Sequence, residues 1–109
     1  MTKQTCDNEV LESGAMLNKS HADDEELARL SAALGHPSRV AILRLLRERE
    51  VCICGEIVQL LPQAQSTVSQ HLKVLRDSGW IIGATEGTRV CYSLDKNVLK
   101  RFGSLIRSL

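Results

Sequence analysis

The sequence predicts a mainly α-helical fold with one β-hairpin, built from about five or six helices and two strands. Apolar residues recur at helical spacing in several stretches. Two β-prone runs flank the two-residue link Glu86-Gly87, which is typical of a hairpin. Glycine or proline stands at most of the boundaries between these segments.

The length of 109 residues suits one domain with a short tail. We expect an N-terminal arm at residues 1–22 and a folded domain at residues 23–109. Only three residues are aromatic, so the core must be aliphatic. No apolar run approaches the roughly 18 residues of a membrane span, and the N-terminus is too polar for a signal peptide. These features predict a soluble cytoplasmic protein with no membrane partner.

Charge is divided unevenly along the chain. Residues 1–35 hold three cations and seven anions, a net charge of −4, whereas residues 36–109 carry +5. The basic part suits a polyanionic partner. Four cysteines in a chain without an export signal favour thiolate ligation or redox chemistry over a disulfide framework.

The first strong helical pattern begins at Asp23, a suitable N-cap, and ends at Gly35. Pro37 opens the next helix, which continues to Glu50 and is apolar around much of its circumference. We expect it to be the most buried helix. A short β-prone run, Val51–Cys54, then precedes a short helix at Glu56–Leu61.

The stretch Gln65–Gly79 predicts a helix with two different faces. Val68, Leu72 and Leu75 form one apolar stripe, and Gly79 is a typical helix stop. The opposite face carries short hydrogen-bonding side chains and one cation, namely Ser66, Thr67, Ser69, Gln70, His71 and Lys73. Such a face suits the base edges of a DNA major groove, although an ordinary polar surface helix would also fit.

Two β-like runs, Trp80–Thr85 and Thr88–Leu94, complete the hairpin. Arg89 near its tip would reach a phosphate or a minor groove, or would simply be solvated. Asp95 caps a final helix. Part of its wide apolar stripe, together with the first helix, is expected to form a dimer interface, unless the stripe only docks on the core. The interface residues would be Leu27, Val98, Phe102, Leu105 and Leu109.

This order of elements is that of a winged helix-turn-helix. The chain also resembles the ArsR/SmtB family of bacterial metalloregulatory repressors over roughly residues 25–109. The matching stretches are Leu34–Arg39 with Ile42-Leu43, Gly55–Ile57, Ser66–Arg76, Gly79 and Gly87–Leu94. The resemblance implies a homodimer on double-stranded operator DNA with an inverted repeat, repression relieved by an effector, and no enzymatic activity.

By position, the resemblance implies DNA contacts from Gln65, Ser66, Thr67, Ser69, Gln70 and His71, and we add Lys73 and Arg89. The chain departs from the family at Ala64, where members often have a serine N-cap. Alanine there forgoes about 0.5–2 kcal/mol of capping.

Cys52-Ile53-Cys54 resembles the Cys-x-Cys motif of arsenite- and cadmium-responsive members. Thiolates select thiophilic ions, so arsenite or antimonite is the expected inducer, with cadmium and lead as further candidates and no organic cofactor. Residues i and i+2 face the same way on extended chain but not on an α-helix. Both sulfurs therefore bind one ion only where this stretch is extended or distorted.

The resemblance is imperfect at this motif. In known members the second cysteine lies one residue nearer the recognition-helix histidine, and Ile57 stands where some arsenite sensors have a third cysteine. A third sulfur would come from Cys6, as an arm cysteine does in cadmium-type members, or from Cys91; a two-thiol site is a further option. The last helix has one acid and no histidine, so no zinc-type site is expected there.

Three other readings compete with the ion-responsive repressor. The first is a thiol redox sensor of the same fold, in which Cys52 or Cys54 bonds with Cys6 or Cys91 after oxidation. A small thiol oxidoreductase is disfavoured, since the chain has no Cys-x-x-Cys and no βαβ pattern. A module for protein contacts alone would show no salt-sensitive binding to duplex DNA. The cysteines would also fit as small buried hydrophobes.

Overall fold

The computed structural model describes residues 14–49 and 52–109, with side chains from 21–49 and 54–109. Five helices and three strands are found in these ranges. They are α1 (Gly14–Ala33), α2 (Pro37–Arg49), β1 (Cys52–Ile53), α3 (Cys54–Leu60), α4 (Gln65–Ser78), β2 (Ile81–Glu86), β3 (Arg89–Leu94) and α5 (Lys96–Arg107). The predicted class, a winged helix-turn-helix, is confirmed.

Helix α4 is the element around which the others pack, since it contacts α1, α2, α3 and β2. Val68, Leu72 and Leu75 are buried, as their spacing predicts. The helix ends at Gly79, whose φ of 100° is left-handed and suits a residue without Cβ. At the other end Ala64 makes no side-chain capping bond, so the predicted loss of a cap is also found.

The core is aliphatic except for one tryptophan, Trp80, which lies directly after α4. Its indole N–H donates to the backbone oxygen of Leu30 at 2.9 Å, so this buried donor is satisfied and α1 is tied to the start of the hairpin. The Phe102 ring of α5 and the Trp80 ring form a T-shaped pair, with 5.1 Å between ring centroids and an interplanar angle of 61°. Trp80 therefore joins the first helix, the wing and the last helix.

The hairpin is part of a three-stranded antiparallel sheet with the order β1-β3-β2. The predicted β-prone run at Val51–Cys54 thus supplies a third strand, in which Cys52 pairs with Tyr92 and Ile53 with Cys91. The hairpin turn lies one residue later than predicted. Glu86 pairs with Arg89, so the link is Gly87-Thr88, and Gly87 has the positive φ, 65°, that such turns require.

Asp23 is not the N-cap of the first helix, because α1 begins nine residues earlier at Gly14. The Asp23 carboxylate is instead an acceptor for Arg101 of α5, at 3.0 Å, and Glu26 accepts from the same guanidinium at 2.8 Å. These ion pairs join α1 to α5. Residues 14–22 of the expected arm belong to α1, whereas residues 1–13 lie outside the described part of the chain.

Helix α2 is not the most buried helix. It buries Ser38, Ile42 and Leu46, whereas α4 buries five residues. Helix α5 begins as predicted, because the Asp95 carboxylate accepts from the backbone N–H groups of Asn97 and Val98 at 3.0 and 3.3 Å. Among the described residues, no helix combines the length and apolar character needed to cross a bilayer.

Candidate DNA-binding face and thiol site

The exposed face of α4 is polar along its first nine residues. Helix α3 packs against α4, and the short connection at residues 61–64 joins them. The two helices therefore form the helix-turn-helix pair. Six of the predicted DNA-contacting side chains are exposed on α4, namely Gln65, Ser66, Thr67, Ser69, Gln70 and Lys73. These hydroxyl and amide groups can donate to and accept from base edges or phosphates.

The prediction that His71 belongs to this exposed face is wrong. Its side chain is only 7% exposed and lies against His36 and Arg39. His71 follows Val68 by three residues and precedes Leu75 by four, so it lies on the inward side of α4. Its ring is therefore not part of the exposed surface of α4.

Two basic residues on α4 differ in their surroundings. Lys73 makes an exposed ion pair with Asp77 at 2.9 Å, and this hydrogen bond lowers the pKa of the Asp77 carboxyl. Arg76 lies in the last turn of α4 and is exposed. Its side chain lies beside β2, since its Cδ would be 3.6 Å from a Cβ placed on Gly83. Arg76 is thus a candidate phosphate contact outside the predicted set, and its basic side chain is the signal in the sequence that points to it.

Arg89 is exposed and lies at the tip of the wing, as the sequence predicts. It pairs across the turn with Glu86, so a cation and an anion stand side by side at the tip. The position is compatible with a contact to a phosphate or a minor groove.

The thiol of Cys54 lies at the junction between the two helices. Cys54 is the first residue of α3 and is half-buried, and its Sγ is 3.9 Å from the hydroxyl oxygen of Ser69 on α4. The chain changes from strand to helix between Ile53 and Cys54. The Cys-x-Cys stretch is therefore neither wholly extended nor wholly helical. The side chain of Cys52 and all of Cys6 lie outside the described residues.

Cys91, the alternative third sulfur, has a different environment. Its thiol donates to the Glu86 carboxylate at 3.6 Å. Partial burial, this hydrogen bond and the negative charge of Glu86 raise the pKa of the Cys91 thiol. A raised pKa opposes the thiolate form that ligates metals. In the sheet, Cys91 pairs with Ile53 rather than with Cys52.

The predicted dimer residues divide into two groups. Leu105 is buried within the chain, and Leu27, Val98 and Phe102 are half-buried against the same core, so much of the stripe docks α5 internally. Leu109 is 85% exposed; next to the predicted set, Ile106 is also exposed, at 44%. Leu27 and Leu109 line a groove of about 240 Å³ between α1 and the end of α5, with Asp23 and Asp24 at its edge.

Comparison with known proteins decides the family. The model of the bacterial regulatory protein, arsR family, matches residues 36–82. The HTH-type transcriptional regulator CmtR of Mycobacterium tuberculosis (strain H37Rv) is 36% identical over 85 residues, which are 77% of this chain and 71% of CmtR. The chain belongs to the ArsR/SmtB family. This ArsR-family protein is accordingly a DNA-binding transcriptional regulator and not an enzyme.

Two further relatives bear names that refer to toxic elements. The cadmium resistance transcriptional regulatory protein CadC homolog of Staphylococcus aureus is 29% identical over 106 residues, covering 93% of this chain and 87% of the homolog. A crystal structure described as a possible transcriptional regulator for arsenical resistance superposes with a TM-score of 0.65. It has 28% identity and covers 73% of this chain and 81% of that one.

Proposed function

We propose that this ArsR-family regulator is a homodimeric repressor, and that arsenite or antimonite releases it from an inverted-repeat operator by binding cysteine thiolates. The observation that carries the proposal is the 3.9 Å contact between the Cys54 thiol and the Ser69 hydroxyl. It joins a candidate ligand of a thiophilic ion to a side chain on the exposed face of α4. Ion binding at the Cys54 sulfur would therefore act directly on Ser69, a side chain of the DNA-reading surface.

The chemistry of the donors supports a thiophilic ion. Cys52 and Cys54 are two residues apart at a strand-to-helix junction, and thiolates are soft ligands that bind arsenic, antimony and cadmium in preference to hard cations. The described side chains contain no group of three His, Cys, Asp or Glu residues that could hold a metal ion. We assign the third sulfur to Cys6 of the second protomer rather than to Cys91, because the Cys91 thiol is hydrogen-bonded to Glu86 and its pKa is raised, which opposes ligation.

Release follows from thermodynamic linkage. An ion that gathers Cys52 and Cys54 draws the Cys54 sulfur from Ser69 and alters the start of α3. Since α3 packs on α4, the two recognition helices of the dimer then no longer match their half-sites. The ion must bind this DNA-incompetent state more tightly than the DNA-bound state, and bound operator must weaken ion binding by the same factor.

The test uses the full-length protein and a fluorescent duplex selected from a random library by the protein itself. Anisotropy is measured while arsenite, antimonite or cadmium is added. The wild type is expected to release the duplex, whereas Cys54→Ser keeps its affinity for DNA and does not respond. Cys91→Ser is the matched control, since it removes the other described thiol and should respond like the wild type.

Other outcomes would contradict parts of the proposal. Failure to select any duplex would refute operator binding, and release of Cys54→Ser by arsenite at the wild-type concentration would remove Cys54 from the ion site. Reversible disulfides after mild peroxide, detected by mass spectrometry together with DNA release and no response to ions, would identify the redox sensor instead.

A further inference from the structure

The imidazole of His71 is buried at the junction between α2 and α4. Its ring centroid lies 4.4 Å from that of His36, and its Nδ1 is 3.2 Å from Nη1 of Arg39, 32 residues earlier in the chain. The side chain is 7% exposed, although it belongs to the recognition helix. A polar ring in this position makes specific contacts with α2 rather than with DNA.

Arg39 connects three helices through one guanidinium group. Its Nε donates to the backbone oxygen of Ala33, the last residue of α1, at 2.6 Å. A cation at the C-terminal end of a helix satisfies free carbonyls and interacts favourably with the helix dipole. From this fixed position the same group reaches His71. Arg39 thus sets how α4 lies relative to α1 and α2.

The Arg39–His71 contact specifies where His71 carries its proton. A guanidinium group can only donate hydrogen bonds, so Nδ1 of His71 must offer its lone pair. The neutral ring then has its proton on Nε2, which is buried and has no hydrogen-bond partner among the described residues. A second proton on Nδ1 would remove the acceptor and bring two positive groups together in a buried site.

We propose that Arg39 and His71 are positioning residues that hold α4 in its DNA-binding orientation only while His71 is neutral, so that acidification weakens operator binding. This proposal rests on the proposed function in one respect, namely that α4 reads the operator. The signal is acidification, which acts through His71 and requires none of the cysteines.

The surroundings of His71 support this protonation behaviour. Burial lowers the pKa of His71, and the charges of His36 and Arg39 lower it further. These two are the charged or titratable groups that act on the ring in the described part of the chain, one from the turn before α2 and one from α2 itself. His36 is also fixed, because its Nδ1 accepts from the backbone N–H of Ser38 at 3.1 Å.

The first test compares the pH dependence of DNA affinity in three full-length proteins, using a duplex selected by the wild type at pH 7.5. The wild type is expected to lose affinity several-fold between pH 7.5 and 5.5, because the DNA-binding orientation requires the neutral ring and its population falls as His71 binds a proton. His71→Asn keeps an acceptor near the Nδ1 position and cannot be protonated, so its affinity should fall much less. His21→Asn removes an exposed histidine and should leave the wild-type pH response unchanged.

The second test needs neither DNA nor a variant. The ¹⁵N chemical shifts of the His71 ring report its tautomer, and at pH 7.5 we expect an unprotonated Nδ1. A protonated Nδ1 would overturn the proposal even if His71→Asn failed to fold. An equal fall in DNA affinity for the wild type and His71→Asn, or no fall for the wild type, would also overturn it. Circular dichroism at pH 5.5 separates a loss of affinity from unfolding.

Discussion

The Cys54 thiol and the Ser69 hydroxyl are 3.9 Å apart, although 15 residues separate them in the chain. One group lies at the first residue of α3 and the other on the exposed face of α4. The contact spans the two helices whose relative position determines whether a helix-turn-helix fits its groove. A ligand that moves the Cys54 sulfur must therefore break its contact with Ser69.

Replacing Ser69 by Ala should therefore weaken the coupling between ion and operator. Arsenite would still bind, but the ratio of DNA affinities without and with arsenite should fall several-fold, within the range of about 5–150-fold typical of allosteric coupling. Anisotropy titrations at zero and saturating arsenite give this ratio, which corrects for any change in basal affinity. Ser66→Ala is the control, since Ser66 is exposed on the same helix, whereas the described hydrogen bond of the Cys54 thiol goes to Ser69. Equal ratios for Ser69→Ala and the wild type would exclude Ser69 from the coupling.

Gln70 is the best candidate for a base contact, since its amide can both donate and accept and it is exposed on α4. We expect Gln70→Ala to weaken binding to the selected duplex by about 1–3 kcal/mol, typical of a lost base contact. Gln59→Ala removes an amide that is also exposed but lies on α3, and should have little effect. An unchanged affinity for Gln70→Ala, measured by anisotropy at fixed salt, would remove Gln70 from the reading face.

The sequence predicts the elements better than it predicts the partners of single side chains. Val68, Leu72 and Leu75 repeat at helical spacing, and Asp95 stands directly before a helix, so local pattern suffices for α4 and α5. His71 is predicted on the exposed face by its polar type, whereas its spacing from Val68 and Leu75 puts it beside the buried stripe. Its burial depends on Arg39, 32 residues away, and no local pattern contains that contact.

The same limit applies to α1 and to the thiol site. Asp23 has the residue type of an N-cap, yet its partner is Arg101 in α5, 78 residues later. The Cys-x-Cys motif is visible in the sequence, whereas the proximity of Cys54 to Ser69 depends on how α3 packs against α4. Pairs of this kind follow from tertiary packing, which periodicity does not encode.

The two helix caps offer a matched pair of stability predictions. Ala64→Ser restores a side-chain acceptor at the start of α4 and should raise the free energy of unfolding by about 0.5–2 kcal/mol. Asp95→Ala removes the bonds to Asn97 and Val98 and should lower it by a similar amount. Urea unfolding followed by circular dichroism gives both values. A lower stability for Ala64→Ser would mean that the serine hydroxyl does not reach the free N–H groups of α4.

The buried ring of His71 should also make the stability of the fold depend on pH. Burial and the neighbouring charges lower the pKa of His71 below its ordinary value of 6.5, so the unfolded chain binds a proton more readily than the folded chain. This contribution to stability is fully present above pH 6.5 and is lost as the pH falls through the lowered folded pKa. Urea midpoints at pH 7.5, 6.5 and 5.5 should decrease for the wild type more than for His71→Asn. Parallel decreases in the two proteins would assign the effect to other groups.

Leu109 gives the most direct test of the proposed dimer interface. It is 85% exposed, whereas Leu105 in the same stripe is buried, so a change at Leu109 should alter association without disturbing the core. Leu109→Asp would place a carboxylate in an apolar contact beside Asp23 and Asp24, which line the same groove. We expect analytical ultracentrifugation to show a shift from dimer to monomer. Anisotropy should show weaker DNA binding, because a monomer binds only one half-site.

Leu60→Asp is the control, since it places the same charge at another exposed leucine, which lies on α3 and is 50% exposed. A Leu109→Asp protein that remains dimeric at the wild-type concentration would place the interface elsewhere.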